Sequence, residues 1–411
     1  MPAELPAYTD AYIASRQDLT AILAARKPII EFRREPISSL SLLEKEWRNL
    51  ETVSSASFFT SWDWIGTLLE ALPEAGRPQL LRASRQSETV ALALCGYAVR
   101  RRLKGLIRSR TLYINETGQL CFDCITIEHN SFLARADLET AVMASAVEWF
   151  AGLRGEVDEL RLAGSFKRFP RFSLGQLHCC ERSVPSYSLD LNQLIENKGQ
   201  VSRILSSNAR QQLRQSARAY AARGPLRLQQ AHSLGEALAF FQELKALHCR
   251  SWDRRGKQHA FTQDFFEEFH TLLIRRTFPK GIVELSRVTA GEHLLGVLYN
   301  FRFGEWVHAY QSGFASADKH ERPGMIAHAL AIQHACRAGA RVYDFMAGPN
   351  RVKQRFSTCC HPMLWQTIEH PKIGFSVERL ARRLRAKLVT RLHLSRRLSE
   401  DHDTEECATR M

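Results

Sequence analysis

The sequence has no apolar segment long enough to cross a bilayer. Its longest apolar run, VALALCGYAV at residues 90–99, is shorter than the roughly 20 residues that a membrane-spanning helix needs. The first residues, MPAELPAYTDAYIASRQ, lack the basic and apolar regions of an export signal. These absences predict a cytoplasmic protein whose contact with a membrane, if it has one, is peripheral at the inner membrane.

Cysteines at metal-ligand spacing are also scarce. Cys121 and Cys124 form one Cys-x-x-Cys pair, but no second pair follows at the spacing of a zinc site, and 179–180 and 359–360 are adjacent doublets. In a chain with no export signal, ten cysteines indicate reduced thiols rather than a disulfide framework. We therefore expect no metal site.

Basic residues outnumber acidic ones. The chain has 57 Lys and Arg against 43 Asp and Glu, which gives a formal net charge of +14 and favours anionic partners. Part of the excess lies at residues 372–397, where nine basic residues and one acid alternate with leucines. This pattern is typical of an amphipathic basic helix. It lies either on an anionic membrane or a partner, or packs on its own domain.

The sequence contains an internal repeat. FTSWDWIGTLLEAL (59–72) and FTQDFFEEFHTLLI (261–274) both open with Phe-Thr and continue as amphipathic helices, at an offset of 202 residues (261 − 59). The threonine is the expected helix N-cap. Each copy continues as strand, polar turn and strand, and then as a helix and a strand ending in Ala-Gly, at Gly164 and Gly348. Three matched stations in one order indicate two copies of one mixed α/β unit.

This repeat predicts the architecture. The fold class is α/β (mixed α+β), with two tandem units that are each a mixed, mostly antiparallel sheet flanked by helices. The expected divisions are an N-terminal extension at 1–30, a first domain at 31–195, a second domain at 196–371, and a basic helix with a polar tail at 372–411. An acceptor cleft is expected between the two domains.

One helix start in the second copy is a candidate phosphate site. Pro323 and Gly324 open the helix that follows the strand EWVHAYQSGF (305–314). Proline has no N–H to lose there, glycine permits close approach, and a helix N-terminus offers amide donors to a phosphate. The alternative is that the pair only shapes a turn.

Three segments resemble a known family. They are the basic helix LSSNARQQLRQSARAY (205–220), the segment ERPGMIAHALAIQHACRAGARVYDFMAG (321–348), and the lysine of NRVKQRF, Lys353. On these the chain resembles the double GNAT-type acyltransferases of the CelD-like group (cellulose biosynthesis), which are similar to the FemAB peptidoglycan-bridge transferases. Two features depart from the family: Val352 replaces its usual tyrosine, and the phosphate-binding signature Q/R-x-x-G-x-G/A is not intact around Gly324.

The resemblance implies an acyltransferase with two tandem GNAT-like domains, acting in polysaccharide or cell-envelope biosynthesis. Acyl-CoA, in particular acetyl-CoA, would be a co-substrate and no cofactor would be tightly bound; the acceptor would be a small molecule or a glycan. The second copy is expected to carry catalysis, because the first has no Pro-Gly at its helix start. The implied donor-binding residues are Arg322, Gly324, Met325, Ile326, Arg351 and Arg355. The implied acceptor-binding residues are Trp306, Arg210 and Arg214.

The acid–base groups are expected on the strand before that helix. Alternation places Trp306, His308, Tyr310 and Ser312 on one face. Acyl transfer to an amine needs a proton removed from the amine and one returned to the thiolate, which suits a histidine near neutrality beside a phenol. Asp344 is the competing base. The alternative is that His308 is a hydrogen-bonded structural residue.

Lys353 completes the predicted catalytic set. It follows the turn Ala347-Gly348-Pro349, which ends a strand and returns the chain toward the mouth of the site. By the resemblance, its cation would meet the phosphates or the oxyanion of the donor. The alternative is a solvated basic turn.

Two other classes of function stay open. In the first, the donor is an aminoacyl-tRNA or an acyl carrier protein in place of acyl-CoA. The arginines of 203–223 would attract either one, although few aromatic residues for base stacking accompany them. Nucleic acid other than tRNA is not expected. The last alternative is a non-catalytic GNAT-like scaffold docked to a membrane-bound polysaccharide synthase.

Overall fold

A computed structural model describes most of the chain as one extended sheet with helices on its faces. The described residues are 30–170, 177–196, 200–254, 256, 259–315 and 321–382. Within them, no helix has both the length and the apolar character needed to cross a membrane.

The first unit contains six strands and three helices. Its strands are β1 (Glu31–Glu35), β2 (Gln79–Arg85), β3 (Glu88–Arg102), β4 (Ile107–Ile114), β5 (Leu133–Ala134) and β6 (Glu159–Ser165). Its helices are α1 (Leu40–Glu51), α2 (Trp62–Ala71) and α3 (Glu139–Gly152). Ser39 caps α1 by accepting a hydrogen bond from the Leu42 amide. The predicted strand-turn-strand station corresponds to β2 and β3, and the helix-strand station to α3 and β6.

The second unit repeats this order. Strand β7 (His178–Asp190) and the short helices α4 (Asn192–Glu196) and α5 (Val201–Ile204) lead into it. Its strands are β8 (Leu226–Gln230), β9 (Val283–Ala290), β10 (His293–Phe303), β11 (Trp306–Phe314), β12 (Val342–Ala347) and β13 (Cys359–Glu369). Its helices are α6 (Ser207–Ala221), α7 (Leu234–Asp253), α8 (Asp264–Thr277), α9 (Pro323–Arg337) and α10 (Arg351–Phe356).

The two units share one sheet because each ends in a strand that pairs with the other. The strand order is β1-β2-β3-β4-β6-β13-β7-β12-β11-β10-β9-β8, and β5 pairs with β3. β7 follows the strands of the first unit in the chain but pairs antiparallel with β12 of the second unit. β13, which follows the other strands of the second unit, pairs antiparallel with β6 of the first unit. β7 and β13 pair with each other over 11 residues, which is the whole of β13. The predicted tandem mixed α/β architecture is confirmed, while the predicted domain boundaries stay a prediction.

Each unit contains one short parallel ladder. β4 runs parallel to β6 over three residue pairs, and β11 runs parallel to β12 over three residue pairs. Beyond its third pair, each ladder stops and the two strands diverge. The strands therefore stop pairing at the corresponding place in both units.

The helices of the sequence repeat, α2 and α8, pack on each other. Trp64 of α2 and Phe269 of α8 meet edge to face with ring centroids 4.8 Å apart. The threonines of the repeat are not the caps of these helices: Thr60 and Thr262 lie in preceding 3-10 turns, and the N-caps are the next residues, Ser61 and Gln263. The chain thus turns once before each helix starts.

Candidate active site

Three side chains from the two units meet at the end of the β11–β12 ladder. Asp344 on β12 shares its Oδ2 between His308 on β11 and His129, which lies in the loop between β4 and β5. The His308 Nδ1 to Oδ2 distance is 2.9 Å and the His129 Nε2 to Oδ2 distance is 2.7 Å. The other carboxylate oxygen, Oδ1, accepts from the Met346 amide at 2.9 Å. This cluster joins the two units through one carboxylate.

Burial and charge set the protonation of this cluster. Burial opposes ionisation of Asp344, but the charge of His129 and hydrogen bonds from both imidazoles hold its pKa well below its usual range. Burial lowers the pKa of His308, and Asp344 offsets part of that effect. A neutral His308 that donates from Nδ1 to the carboxylate keeps a lone pair on Nε2. This is the arrangement of a general base oriented by a carboxylate.

The strand that carries Asp344 ends in an unusual backbone conformation. Met346 has φ +64°, and the β7–β12 register shifts between Asp344 and Ala347. The freed Ala347 amide donates to Oε2 of Glu128 at 2.8 Å. The Lys353 ammonium donates to the Met346 and Ala347 carbonyls at 3.2 and 2.7 Å. Glu128 and Lys353 therefore hold the strand end that positions Asp344.

The location of Lys353 differs from the solvated turn that was its alternative interpretation. Residues 351–356 form the helix α10, capped by Asn350, and Lys353 is mostly buried behind the strand end. Burial lowers the pKa of Lys353, while Glu128 and Asp344 favour its charged form. Its contacts within the described residues are with backbone carbonyls. Its direct role on the donor stays a prediction.

Aromatic rings cover the two histidines. Phe59 lies parallel to the His129 ring at a centroid distance of 6.2 Å and an interplanar angle of 8°, and Phe166 meets it edge-on at 4.9 Å. Trp306 stacks on His308 at 5.9 Å. These rings exclude water from the cluster, and His129 keeps 12% of its side chain exposed.

Tyr310 lies in a separate polar chain. Its hydroxyl donates to the Ile125 carbonyl and lies 3.2 Å from His270 Nε2, while the other ring nitrogen of His270 lies 3.1 Å from the Tyr299 hydroxyl. Burial raises the pKa of Tyr310 well above its usual range. The predicted shared face of β11 is observed, since Phe59 touches both His308 and Tyr310. The structure does not bring the phenol into the His308 cluster.

Four of the predicted donor-binding residues, Arg322, Gly324, Met325 and Ile326, lie at the start of α9, beside a pocket. The amides of Met325 and Ile326 donate to the Arg322 carbonyl at 2.9 and 3.3 Å, and both side chains are buried in the core. Their backbone amides are thus bonded within the first turn of the helix, and their contact with the donor stays a prediction. Gly324 faces the Phe314 ring, where a Cβ would lie 3.3 Å from a ring carbon.

The arginines of the prediction separate into two groups. Arg355 contacts Met325 in the first turn of α9, with Nη1 3.6 Å from Sδ, and burial together with repulsion from Arg322 and Arg351 lowers its pKa. A pocket of about 560 Å³ adjoins them, lined by residues 311–315 of β11 and its end, Pro323, the end of α7 and Asn350. Arg210 donates to the Leu205 carbonyl and Arg214 is exposed on the same helix, α6. Neither contacts the histidine cluster within the described residues.

The corresponding place in the first unit has different residues. The last pair of its parallel ladder is Tyr113 and Arg161, where the second unit has His308 and Asp344. The Arg161 guanidinium lies 5.2 Å from the Tyr113 ring centroid, a cation–π contact. The first unit thus has no histidine–carboxylate pair at the end of its ladder.

The gap of the first unit is also filled. Asn130 donates from its side chain to the Ile114 carbonyl and from its amide to the Gly164 carbonyl, both at 2.9 Å. It thereby bridges the diverging ends of β4 and β6. The same loop carries Glu128 and His129 to the second unit. One segment closes the first gap and contributes to the site at the second.

Sequence reasoning missed Glu128 and His129. They lie in the segment ITIEHNS (125–131), which has no helical or strand periodicity, and His129 is 215 residues from its partner Asp344. No short-range pattern links such positions. Only the joining of the two units brings them together.

The same three atoms form a geometric set for a metal ion. His129 Nε2, His308 Nδ1 and Asp344 Oδ2 lie within 4.8 Å of one another. The separations of 2.7 and 2.9 Å from nitrogen to oxygen are typical of hydrogen bonds. Two imidazoles and a carboxylate suit a first-row transition metal as well, so metal dependence is a property to measure.

One family model matches part of the chain. Residues 207–354 match the family model described as an acetyltransferase (GNAT) domain. A search of curated proteins finds no match. A conserved protein of unknown function from Bacteroides thetaiotaomicron aligns with a TM-score of 0.50 at 9% identity over 82% of this chain and 100% of that chain, which shows a common fold.

Two further solved structures align at lower TM-scores. FemX aligns with a TM-score of 0.47 at 10% identity over 81% of this chain and 96% of its own. A tandem GNAT protein from the clavulanic acid biosynthesis pathway aligns with a TM-score of 0.43 at 10% identity over 84% and 100%. The match of residues 207–354 to the GNAT domain model confirms the GNAT resemblance predicted from the sequence.

Proposed function

We propose that this chain, which carries a GNAT-type acyltransferase domain at residues 207–354, transfers an acyl group from acyl-CoA to an amine or hydroxyl of a small molecule or glycan. One observation carries the proposal: Asp344 orients His308 at the point where β11 and β12 diverge. A base held by a carboxylate at the end of a strand ladder is suited to removing a proton from an acceptor.

The donor would enter the gap between β11 and β12. Beyond His308 and Asp344, the facing edges of these strands have no ladder between them, so an extended chain with amide groups could add to either edge. The pocket and the Arg322–Arg351–Arg355 group lie at the start of α9, at the far end of β11. Phosphates of the donor would lie there and its thioester near His308.

The transfer balances with one base. Nε2 of His308 takes a proton from the neutral amine or hydroxyl as that atom attacks the thioester carbonyl carbon. The new C–N or C–O bond forms, the C–S bond breaks, and the imidazolium returns the proton to the departing thiolate. Asp344 stabilises the imidazolium while it exists. Tyr310 has no part in this scheme because its hydroxyl is held by Ile125.

The acceptor would approach from the first unit. His129 shares the carboxylate of Asp344, keeps part of its ring exposed and lies against Phe166 and Trp306. A hydroxyl or amine could bond its second ring nitrogen, which has no hydrogen-bond partner within the described part of the chain. Trp306 retains its predicted role as an acceptor contact.

The test measures thiol release and product formation from acetyl-CoA and longer acyl-CoA with a panel of amines and sugars. We expect Asp344→Asn and His308→Gln each to lower turnover by about 100-fold, because each removes the oriented base. Thermal-shift titration should show donor binding within about threefold of wild type in both variants. Tyr113→Phe, at the corresponding position of the first unit, is the matched control and should retain turnover.

Several outcomes would overturn the proposal. Near-normal turnover in both variants would remove His308 and Asp344 from the chemistry. Loss of wild-type turnover in a metal chelator, restored by one metal, would make the cluster a metal site instead. Transfer from aminoacyl-tRNA or an acyl carrier protein, with none from acyl-CoA, would move the donor to the alternative class. Absence of transfer from every donor would favour a scaffold.

A further inference from the structure

At the end where β3 turns into β4, the first unit presents aliphatic side chains to solvent. The turn between these strands exposes 87% of Leu106. Leu103, Lys104 and Gly105, just before it, all have positive φ, so three successive residues of the turn are in the left-handed region. A large aliphatic residue at such a tip gains nothing from the fold.

A second element exposes aliphatic residues beside this turn. Residues 373–382 are helical, and Ile373, Val377 and Leu380 are 86%, 53% and 58% exposed. Their spacing of four and three residues places them on one helix face. Gly374 packs against the Ile107 side chain, next in sequence to Leu106, with a closest approach of 3.4 Å from its Cβ position. The two exposed groups are therefore neighbours.

The opposite face of this helix is fixed to the first unit. Phe375 is fully buried under the Arg102 guanidinium, which lies 4.5 Å from its ring centroid. Arg102 also pairs with Glu378 at 2.5 Å, and Arg379 pairs with Glu369 at 2.5 Å. The helix is held so that its apolar face points outward.

The surroundings of these residues are cationic. Arg101, Lys104 and Arg108 of the turn are exposed, and no acid occurs in 101–108. In the helix, the one acid, Glu378, is buried in its pair with Arg102. The sequence beyond residue 382 contains Leu384 and Leu388 among further arginines and lysines.

We propose that Leu106, Ile373, Val377 and Leu380, with their basic neighbours, form a surface that binds the anionic face of a lipid bilayer. Aliphatic side chains would enter the headgroup boundary and the cations would bind acidic lipids, which is the composition of interfacial membrane sites. Nucleic acid fits poorly, since protruding aliphatic residues offer no stacking platform. This surface lies on the first unit and uses none of the candidate catalytic residues.

The test is co-sedimentation of the full chain with phosphatidylcholine vesicles containing 0 or 40% phosphatidylglycerol. We expect binding only to the anionic vesicles, weakened by 0.5 M salt. Leu106→Ser and the double variant Ile373→Ser/Val377→Ser should each lower the partition coefficient by at least about fivefold, since each removes exposed apolar area that would be buried in lipid. Leu42→Ser, which alters a 65% exposed leucine on α1, is the matched control and should bind as wild type.

Far-UV circular dichroism and melting temperature should be unchanged in all of these variants, because every altered side chain is exposed. Failure of the wild type to bind the anionic vesicles would overturn the proposal. So would equal binding by the wild type and the surface variants, or capture of a protein partner by this surface in place of vesicles. Acyl transfer to a soluble acceptor is measured in parallel and should not change.

Discussion

Asp344 accepts two imidazole hydrogen bonds on a single oxygen, so both histidines depend on one ionised carboxylate for these bonds. A carboxylate this deeply buried is stable only because those donors and the Met346 amide compensate for its lost hydration. The same compensation orients each ring. At the residue scale, Asp344 of the second unit sets the tautomer of His308, and His129 of the first unit bonds the same carboxylate oxygen.

Replacing Lys353 distinguishes a positioning role from donor binding. Lys353→Met should lower the free energy of unfolding by about 1–3 kcal/mol, because the carbonyls of Met346 and Ala347 lose their donor while they stay buried. Turnover should fall as Asp344 shifts, with donor affinity within about threefold of wild type, and Lys353→Arg should restore part of it. Unfolding in urea, thermal-shift titration and initial rates measure the three quantities. Weakened donor binding without a stability loss would instead show the direct contact predicted from the sequence.

His328 predicts a pH dependence of stability. Burial, and to a lesser extent the charge of Lys353, lower the pKa of His328 to about 4, and its Nδ1 lies 3.2 Å from the Tyr343 hydroxyl. As pH falls below the unfolded value of about 6.5, the unfolded chain binds the proton first, so stability is complete above that pH and is lost toward pH 4.

The variant His328→Gln removes this titration. Between pH 7 and pH 4, wild type should lose about 2 kcal/mol more unfolding free energy than the variant, a figure reduced for the partial exposure of the ring. Urea denaturation at both pH values measures the difference, and other histidines cancel because both proteins contain them. Equal losses of unfolding free energy in the two proteins would mean that the folded protein binds a proton at His328 as readily as the unfolded chain does.

At the element scale, the loop between β4 and β5 serves both units. Its residues close the first gap through Asn130 and carry Glu128 and His129 to the second. The corresponding gap of the second unit has no such insertion among the described residues. The asymmetry between two repeats thus follows from one segment.

Gly164 tests this loop. It has φ +67°, and an added Cβ would lie 2.5 Å from the Ile127 carbonyl oxygen. Gly164→Ala should therefore destabilise the protein by at least about 2 kcal/mol and lower turnover, because the loop that holds His129 must move. Gly155→Ala is the matched control, with φ +94° and no atom within 4 Å of the added Cβ, and should cost about 1 kcal/mol with normal turnover. Equal effects of the two changes on stability and turnover would mean that backbone strain, and not displacement of the loop, is the cause.

The sequence predicted the strands and helices better than it predicted which of them pair with one another. Hairpins such as β2–β3 and β9–β10 have alternating apolar residues around polar turns, and the face of β12 that carries Asp344 is opposite Tyr343 and Phe345 as alternation required. His308 and Asp344 were candidates because their strands were recognised. His129 was not, since its position depends on pairing between units, for which a local pattern has no signal. Lys353 was recognised, but its target, a pair of buried carbonyls, arises from the bulge at Met346.

At the scale of the whole molecule, the exchanged strands decide how the protein unfolds. β7 completes the sheet of the second unit and β13 that of the first, and the two pair over 11 residues. α2 and α8 also pack across the same junction. Neither unit can lose its sheet without exposing an unpaired edge of the other. The site, which takes residues from both units, depends on that junction.

Calorimetry should therefore show one cooperative transition in place of two. At roughly 0.7 kcal/mol per residue near 60 °C, a single unit spanning residues 30–382 would give a van 't Hoff enthalpy close to a calorimetric enthalpy of about 250 kcal/mol. Two independent domains would give a van 't Hoff value near half the calorimetric one. Turnover and the far-UV signal should be lost over the same temperature range, because His129 and Asp344 separate when either unit opens. A lower transition that removes the helical signal of one unit while the other stays folded would show that the shared strands do not couple them.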